Sequence, residues 1–247
     1  MVAAALAFAA SPTPAQTRFD HAAFDRLLRD HVSDGLVDYD AFAVSPTFAA
    51  YLASFAAFDP RGLDGLERLA FWINAYNAFT IDLINRHQER RSIRKIGSPW
   101  GIRFIRIGGK RYSLDDIEHG IIRREFSEPR IHFALVCAAM GCPPLRPEAY
   151  RGADMDAQLE DQALTFLTRT PSKNRIDVQR RSAYLSPIFK FRDYEKDFGG
   201  TKSAIGRYVA RYLRRAGLTA EAEVLENGDF ALKYTDYDWS LNQRRPR

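Results

Sequence analysis

The chain lacks most of the patterns by which a sequence announces its chemistry. Only two of its 247 residues are cysteine, Cys137 and Cys142, and no Cys-x-x-Cys pair or zinc-type His/Cys spacing accompanies them. There is no phosphate-binding loop, no dinucleotide-binding glycine fingerprint and no serine between the glycines of a nucleophile elbow. No apolar run approaches the roughly 20 residues a membrane-spanning helix needs. The net charge of +5 comes from 36 Lys and Arg against 31 Asp and Glu. Acids are interleaved with bases, as in Arg123-Arg124-Glu125 and Arg192-Asp193-Tyr194-Glu195. Without a basic stripe or a recognition module, nucleic acid is not an expected partner.

What is present describes an ordinary folded domain. Hydrophobic residues make up 46% and charged residues 27%, and a chain this long buries a core without metal or disulfide support. Met1 to Ala10 is apolar and Ala-rich and runs into Ser11-Pro12-Thr13-Pro14-Ala15. Ala7-Phe8-Ala9 and Pro14-Ala15-Gln16 place small residues where an export signal is cut, but the first Arg is only Arg18. Residues 1–18 therefore read as a truncated signal peptide or a flexible lead. The first reading puts the mature protein in the periplasm or outside the cell, and the cytoplasm is the alternative. Residues 19–242 read as a single globular domain and residues 243–247 as a loose basic tail.

Periodicity gives a helix through Phe24, Leu27, Leu28 and His31, a short strand at Leu36 to Tyr39, and a helix from Ser45-Pro46 to about Phe58. The longest candidate helix runs from Asp64 to about Arg90 and is apolar nearly all round, which marks a central helix. Asn74 and Asn77 lie one turn apart within it and need partners there. Ile102 to Ile107, Gly108-Gly109 and Lys110 to Tyr112 read as a hairpin. Ser113 and Asp116 form a capping box for a helix carrying Glu118 and His119. Ile131 to Cys137 reads as an apolar strand that breaks at Ala138 to Gly141. Helices are predicted over Asp154–Thr168, Pro187–Phe198 and Lys202–Ala216, a hairpin over Arg175–Leu185, and a terminal hairpin turning at Asn227-Gly228 and closing on Tyr234 to Asn242. The fold class that follows is α+β: a helix-rich single domain with a small, mostly antiparallel sheet built from hairpins.

Several stretches carry a resemblance. Phe71-Trp72-Ile73-Asn74-Ala75-Tyr76-Asn77-Ala78, Ser113 to Gly120, Arg130 to Cys137 and Gly141-Cys142-Pro143-Pro144-Leu145 resemble the family called domain of unknown function 547. So do Ser186 to Lys190, Asp197-Phe198-Gly199-Gly200 and Tyr237-Asp238-Trp239-Ser240-Leu241-Asn242. Many members carry Cys-Ala-Ser in the turn after the Arg130 stretch, where this chain has Ala139 in place of the serine. The resemblance implies no activity.

The unusual polar residues fall into a few segments, and these define the candidate site. One reading is a hydrolase or transferase with Cys137 as nucleophile, His119 as its base, and Asn74, Asn77 or Glu118 as orienting groups, since a thiol needs a base or cation to become thiolate. His132 lies five residues before Cys137, and strand alternation would set the two on opposite faces. The structural alternative makes Cys137 a small buried apolar residue, or bonds it to Cys142 if the compartment is oxidising. Glu118, on an apolar helix face, is either a general acid or base or a carboxylate locked to an arginine. Trp72, Trp100, His132 and Cys142 are candidate ligand contacts, with Trp239 a further aromatic of the same kind. A non-catalytic module that binds a small molecule or peptide is the competing function. No cofactor or bound metal is expected.

Overall fold

Asp64 starts the hub of the fold. Its side chain accepts the Glu67 N–H at 2.8 Å and caps helix α4 (Gly65–Arg86). Every residue from Leu69 to Ile81 is buried, so α4 is the central helix that its all-round apolarity predicts. The computed structural model describes residues 18–244. The predicted export lead up to residue 17 and residues 245–247 lie outside the described residues.

Helices α1 (Ala22–His31), α2 (Tyr39–Val44) and α3 (Pro46–Ser54) cover one side of α4, and strands β1 (Val32–Ser33) and β2 (Leu36–Val37) pair antiparallel between the first two. The strand predicted to reach Tyr39 stops at Val37 because the Asp38 carboxylate accepts the Ala41 N–H at 3.1 Å and starts α2. Phe19, Phe55, Phe58 and Phe71 pack ring against ring beside this layer. The predicted hairpin forms as β3 (Ile105–Ile107) and β4 (Lys110–Tyr112). Gly108 and Gly109 take φ of +55° and +77° at its turn, and their N–H groups bond to the carbonyls of Phe55 and Ala56.

The capping box also forms: Ser113 N–H to Asp116 Oδ2 at 2.9 Å and Asp116 N–H to Ser113 Oγ at 3.0 Å. Ser113→Ala is expected to cost about 1 kcal/mol, seen as a lower urea midpoint with an unchanged slope. Past the box the chain is π-helical over Asp116–Ile122 and then enters α5 (Arg123–Glu125).

Three expected elements differ. The segment predicted as a strand from Ile131 to Cys137 is one helical turn, α6 (Ile131–Ala134), followed by extended chain with no strand beside it. Asn77 takes the place of a neighbouring strand: its amide donates to Ala134 O and accepts from Val136 N–H, both at 2.9 Å. The helix predicted over Pro187–Phe198 breaks at Phe191, where the backbone turns extended, and at Arg192 and Asp193, which hold positive φ of 41° and 66°. Only α8 (Tyr194–Asp197) follows as α-helix. The terminal hairpin is absent. Asn227-Gly228 instead closes α10 (Thr219–Glu226), with Gly228 at φ +74°. A helix end needs left-handed backbone as much as a tight hairpin does, so Asn-Gly serves either.

Helix α7 (Met155–Thr168) and the hairpin of β5 (Arg175–Asp177) and β6 (Ser182–Leu185) follow the prediction. Strand β7 (Ala231–Tyr234) reaches β6 by a crossover through α9 (Lys202–Arg215) and α10, and pairs with it in parallel. Among the described residues, three small sheets, mostly antiparallel, set among dominant helices make the α+β class the sequence indicates. Among the described residues no helix is long and apolar enough to cross a membrane.

Two apolar clusters result, one around α4 and one around α7, α9, α10 and β6. The chain after β7 returns over their junction. Tyr237 packs on both clusters, Leu241 bridges Ala139, and Gln243 bridges Val37. Asn242 accepts the Tyr39 hydroxyl at 2.6 Å and donates to Gly35 O at 3.2 Å. Gln243 and Arg244, the first residues of the expected tail, are held here, with Arg244 3.2 Å from Asp38.

Candidate functional site

A cavity of about 260 Å³ opens at the junction of the two clusters. The π-helical turn supplies Glu118 and His119, and Asp115 immediately precedes it; α4 supplies Tyr76; α6 supplies His132. The Cys137–Cys142 turn, the break at Phe191 to Tyr194, Trp100, and the returning segment with Tyr237 and Trp239 complete the wall. A π-helix widens the turn by one residue and re-aims the side chains around it, a distortion frequent at functional sites. The wall is strongly aromatic. Tyr237 and Trp239 lie 4.5 Å apart by ring centroids, Phe191 and Tyr237 5.1 Å, and Trp100 and Trp239 6.0 Å.

Glu118 is 6% exposed. Burying a carboxylate is costly without partners, and the arginine pairing weighed from the sequence does not occur: among the described residues no cation forms an ion pair with it. Tyrosines surround it instead. The Tyr194 hydroxyl donates to its Oε1, and the Tyr76 hydroxyl faces the same carboxylate. Burial, with the Glu118 charge beside it, pushes the Tyr194 and Tyr76 hydroxyls far above the ordinary tyrosine range, so both stay protonated donors.

His119 sits between unlike groups. Its Nδ1 is 3.3 Å from Arg123 Nη1 and its Nε2 is 3.7 Å from Asp115 Oδ1. A guanidinium only donates, so Nδ1 accepts and the ring proton lies on Nε2, towards Asp115. Burial lowers the His119 pKa from 6.5 against the opposing pull of Glu118 and Asp115. Arg192 also bonds Asp115, at 3.0 Å.

His132 is buried and stacks on Tyr194 with centroids 4.0 Å apart. Its Nε2 is 2.6 Å from Asp197 Oδ2, and Arg123 forks onto the same carboxylate at 2.7 and 3.0 Å. Burial raises the Asp197 pKa, but these donors outweigh it and hold the carboxyl well below the usual range. The other ring nitrogen of His132, Nδ1, is buried without a hydrogen-bond partner.

The two cysteines are joined by a disulfide with Cα atoms 6.2 Å apart. The Tyr237 hydroxyl lies 3.2 Å from each sulfur, and the Cys137 N–H donates to Cys142 Sγ at 3.1 Å. Neither His119 nor His132 is hydrogen-bonded to a sulfur; their ring contacts go to Arg123, Asp115 and Asp197. Gly141 is required in this turn because a Cβ there would meet the Tyr237 ring at 2.8 Å. Behind it, Lys173 Nζ donates to the Cys142 carbonyl at 2.5 Å, and burial brings its pKa down to about 8.

The structure thus gathers Glu118, His119, His132, Trp100, Cys137 and Cys142 and leaves three predicted residues elsewhere. Asn77 is engaged by Ala134 and Val136. Asn74 spans Tyr150 in the same way, donating to its carbonyl at 2.8 Å and accepting its N–H at 2.9 Å. Trp72 is packed in the core against Phe71 and Tyr112. The strand alternation that separated His132 from Cys137 does not apply, because His132 lies on a helical turn. Tyr76, Asp115, Phe191, Arg192, Tyr194 and Tyr237 are among the site residues that sequence reasoning missed. Tyr76 is masked by its place on a fully apolar helix, and Tyr194 and Tyr237 are brought in only by long-range packing.

Among the described residues no three His, Cys, Asp or Glu side chains converge as a metal site would require. No curated protein and no solved structure matches the chain. Residues 60–167, which carry Tyr76, Glu118, His119, His132 and both cysteines, match the family described as "Protein of unknown function, DUF547", and that match supports a DUF547 family assignment.

Proposed function

We propose that the cavity binds a small organic ligand carrying an amine or ammonium group. The observation that carries this reading is Glu118, a buried carboxylate met by tyrosine hydroxyls rather than by a cation, in a wall of aromatic rings. Aromatic faces attract cations, and a desolvated carboxylate adds a charge-assisted hydrogen bond. At about 260 Å³ the space is just below the usual range for drug-sized ligands, which suits a small compound. His119, neutral through burial, adds no competing positive charge.

The thiol-hydrolase reading is less well supported, since the Cys137 sulfur is bonded to Cys142 and no imidazole addresses it. The same bond favours an oxidising compartment, in keeping with the proposed export to the periplasm or beyond.

Benzylamine, benzyl alcohol and benzoate share a shape and differ in charge. Titrated against the protein and followed by tryptophan fluorescence, benzylamine should bind at least about tenfold more tightly than the alcohol, a difference of about 1.4 kcal/mol. Glu118→Gln should abolish that preference. Equal binding of amine and alcohol, or tighter binding of benzoate, would defeat the proposal.

A further inference from the structure

The disulfide is not sealed in hydrocarbon. Both cysteines line the cavity, and the two sulfurs are held in unequal surroundings. Cys137 is partly exposed, whereas Cys142 is 2% exposed. Cys142 Sγ receives the Cys137 N–H at 3.1 Å, and the Tyr237 hydroxyl lies 3.2 Å from both sulfurs. The Lys173 ammonium sits on the carbonyl of the same residue. Thiol–disulfide exchange favours attack on the accessible sulfur and departure of the sulfur whose thiolate is better stabilised. Hydrogen-bond donors stabilise a thiolate; the Tyr237 hydroxyl can serve either sulfur, and the Cys137 N–H adds a second donor to Cys142.

We propose that the Cys137–Cys142 bond is a redox-active group that exchanges with a small thiol entering the cavity, with Cys137 as the attacked sulfur and Cys142 as the leaving one. The incoming thiolate forms a bond to Cys137 Sγ. The Cys137–Cys142 bond breaks, and its electron pair departs on Cys142 Sγ, stabilised by the Cys137 N–H and the Tyr237 hydroxyl. A second thiolate then attacks the outer sulfur of the mixed disulfide and releases Cys137. In sum, two thiols become one small disulfide, their two electrons reduce the protein disulfide, and their two protons end on Cys137 and Cys142. The reverse direction oxidises small thiols by the same steps. The turn has its own supports: Met140 and Gly141 donate to the carbonyls of Ser240 and Asp238 at 2.8 Å, so opening the bond leaves its backbone anchored.

This inference rests on the cavity's admitting a small molecule, but not on its preference for an amine. The test uses the oxidised full chain with cysteamine, mercaptoethanol or mercaptopropionate at neutral pH, an acid quench, alkylation with iodoacetamide and peptide mass spectrometry. The expected product carries the small thiol on Cys137 and the alkyl group on Cys142, at least about tenfold over the reverse arrangement. Rates are normalised to those on a linear small-molecule disulfide. Tyr237→Phe should slow the first step about tenfold, the loss of one hydrogen bond to a charged group. If Tyr237→Phe does not fold, Cys142→Ser serves instead: its lone Cys137 should form a stable mixed disulfide with cystamine. A folded protein that resists all three thiols, adducts found on Cys142, or an unreactive Cys137 in Cys142→Ser would overturn the inference. Equal normalised rates for the three thiols would uphold exchange and count against the amine reading. Benzylamine binding beside an inert disulfide would do the opposite.

Discussion

Replacing Asn77 by leucine should destabilise the protein by about 4 kcal/mol, because two buried backbone groups lose the side-chain amide that pairs them at once. Asn77 is 3% exposed, and its side-chain amide bonds Ala134 O and Val136 N–H, each at 2.9 Å. Leucine keeps the branch at Cγ and the same number of side-chain heavy atoms, so no cavity opens and the loss comes chiefly from the orphaned carbonyl and N–H, at roughly 2 kcal/mol each. The check is urea denaturation: a midpoint shift with constant slope. A catalytic orienting group would show another pattern, with function lost and stability kept. A change under about 1 kcal/mol would mean that Ala134 and Val136 find other partners.

The second large effect is acid sensitivity. His21 lies among Phe19, Tyr51 and Phe71, with its Nδ1 2.7 Å from the Tyr51 hydroxyl. Burial drives its pKa down to about 3; the Asp20 charge opposes this and Arg18 adds to it. In the unfolded chain the same ring takes a proton at about 6.5. Between those values the unfolded state binds more protons, so His21 costs nothing above about pH 6.5 and stability drains away as the pH falls towards 3. Between neutrality and about pH 4 the loss is roughly 3 kcal/mol. His21→Gln keeps a polar partner for Tyr51 and removes the titration. Its unfolding free energy should change less across that interval, and parallel pH curves for variant and parent would contradict the assignment.

The residues explain which parts of this molecule were legible beforehand. Local chemistry that has one outcome was read correctly. Ser113 with Asp116 starts a helix, Gly108-Gly109 turns a hairpin, and an all-round apolar run from Leu69 becomes the central helix. Chemistry with two outcomes was not. Asn-Gly at 227–228 ends a helix as readily as it makes a hairpin. The apolar segment from Ile131 satisfies its backbone through one helical turn and a side-chain amide, and no pattern within the segment announces a partner 57 residues away. The site was half legible for the same reason. Glu118 and His119 stand out because a carboxylate and an imidazole are unusual on an apolar helix. Tyr76, Tyr194 and Tyr237 are ordinary aromatic residues until packing sets their hydroxyls beside a carboxylate or a sulfur. Reading His132 onto a strand also hid its neighbourhood, since alternation put it on the wrong side of the chain from Cys137.

The returning segment bears on synthesis as well as on packing. Tyr237 and Trp239 wall the cavity, and Asn242 and Gln243 clasp the strand at Val37, some two hundred positions earlier. While a ribosome still holds that stretch, the nascent chain has α4 and its cysteines but not the hydroxyl that contacts both sulfurs. A protein built this way acquires its pocket only once the stretch carrying Tyr237 and Trp239 is free to fold back, and any thiol chemistry that pairs Cys137 with Cys142 before then takes place in an unfinished, open turn.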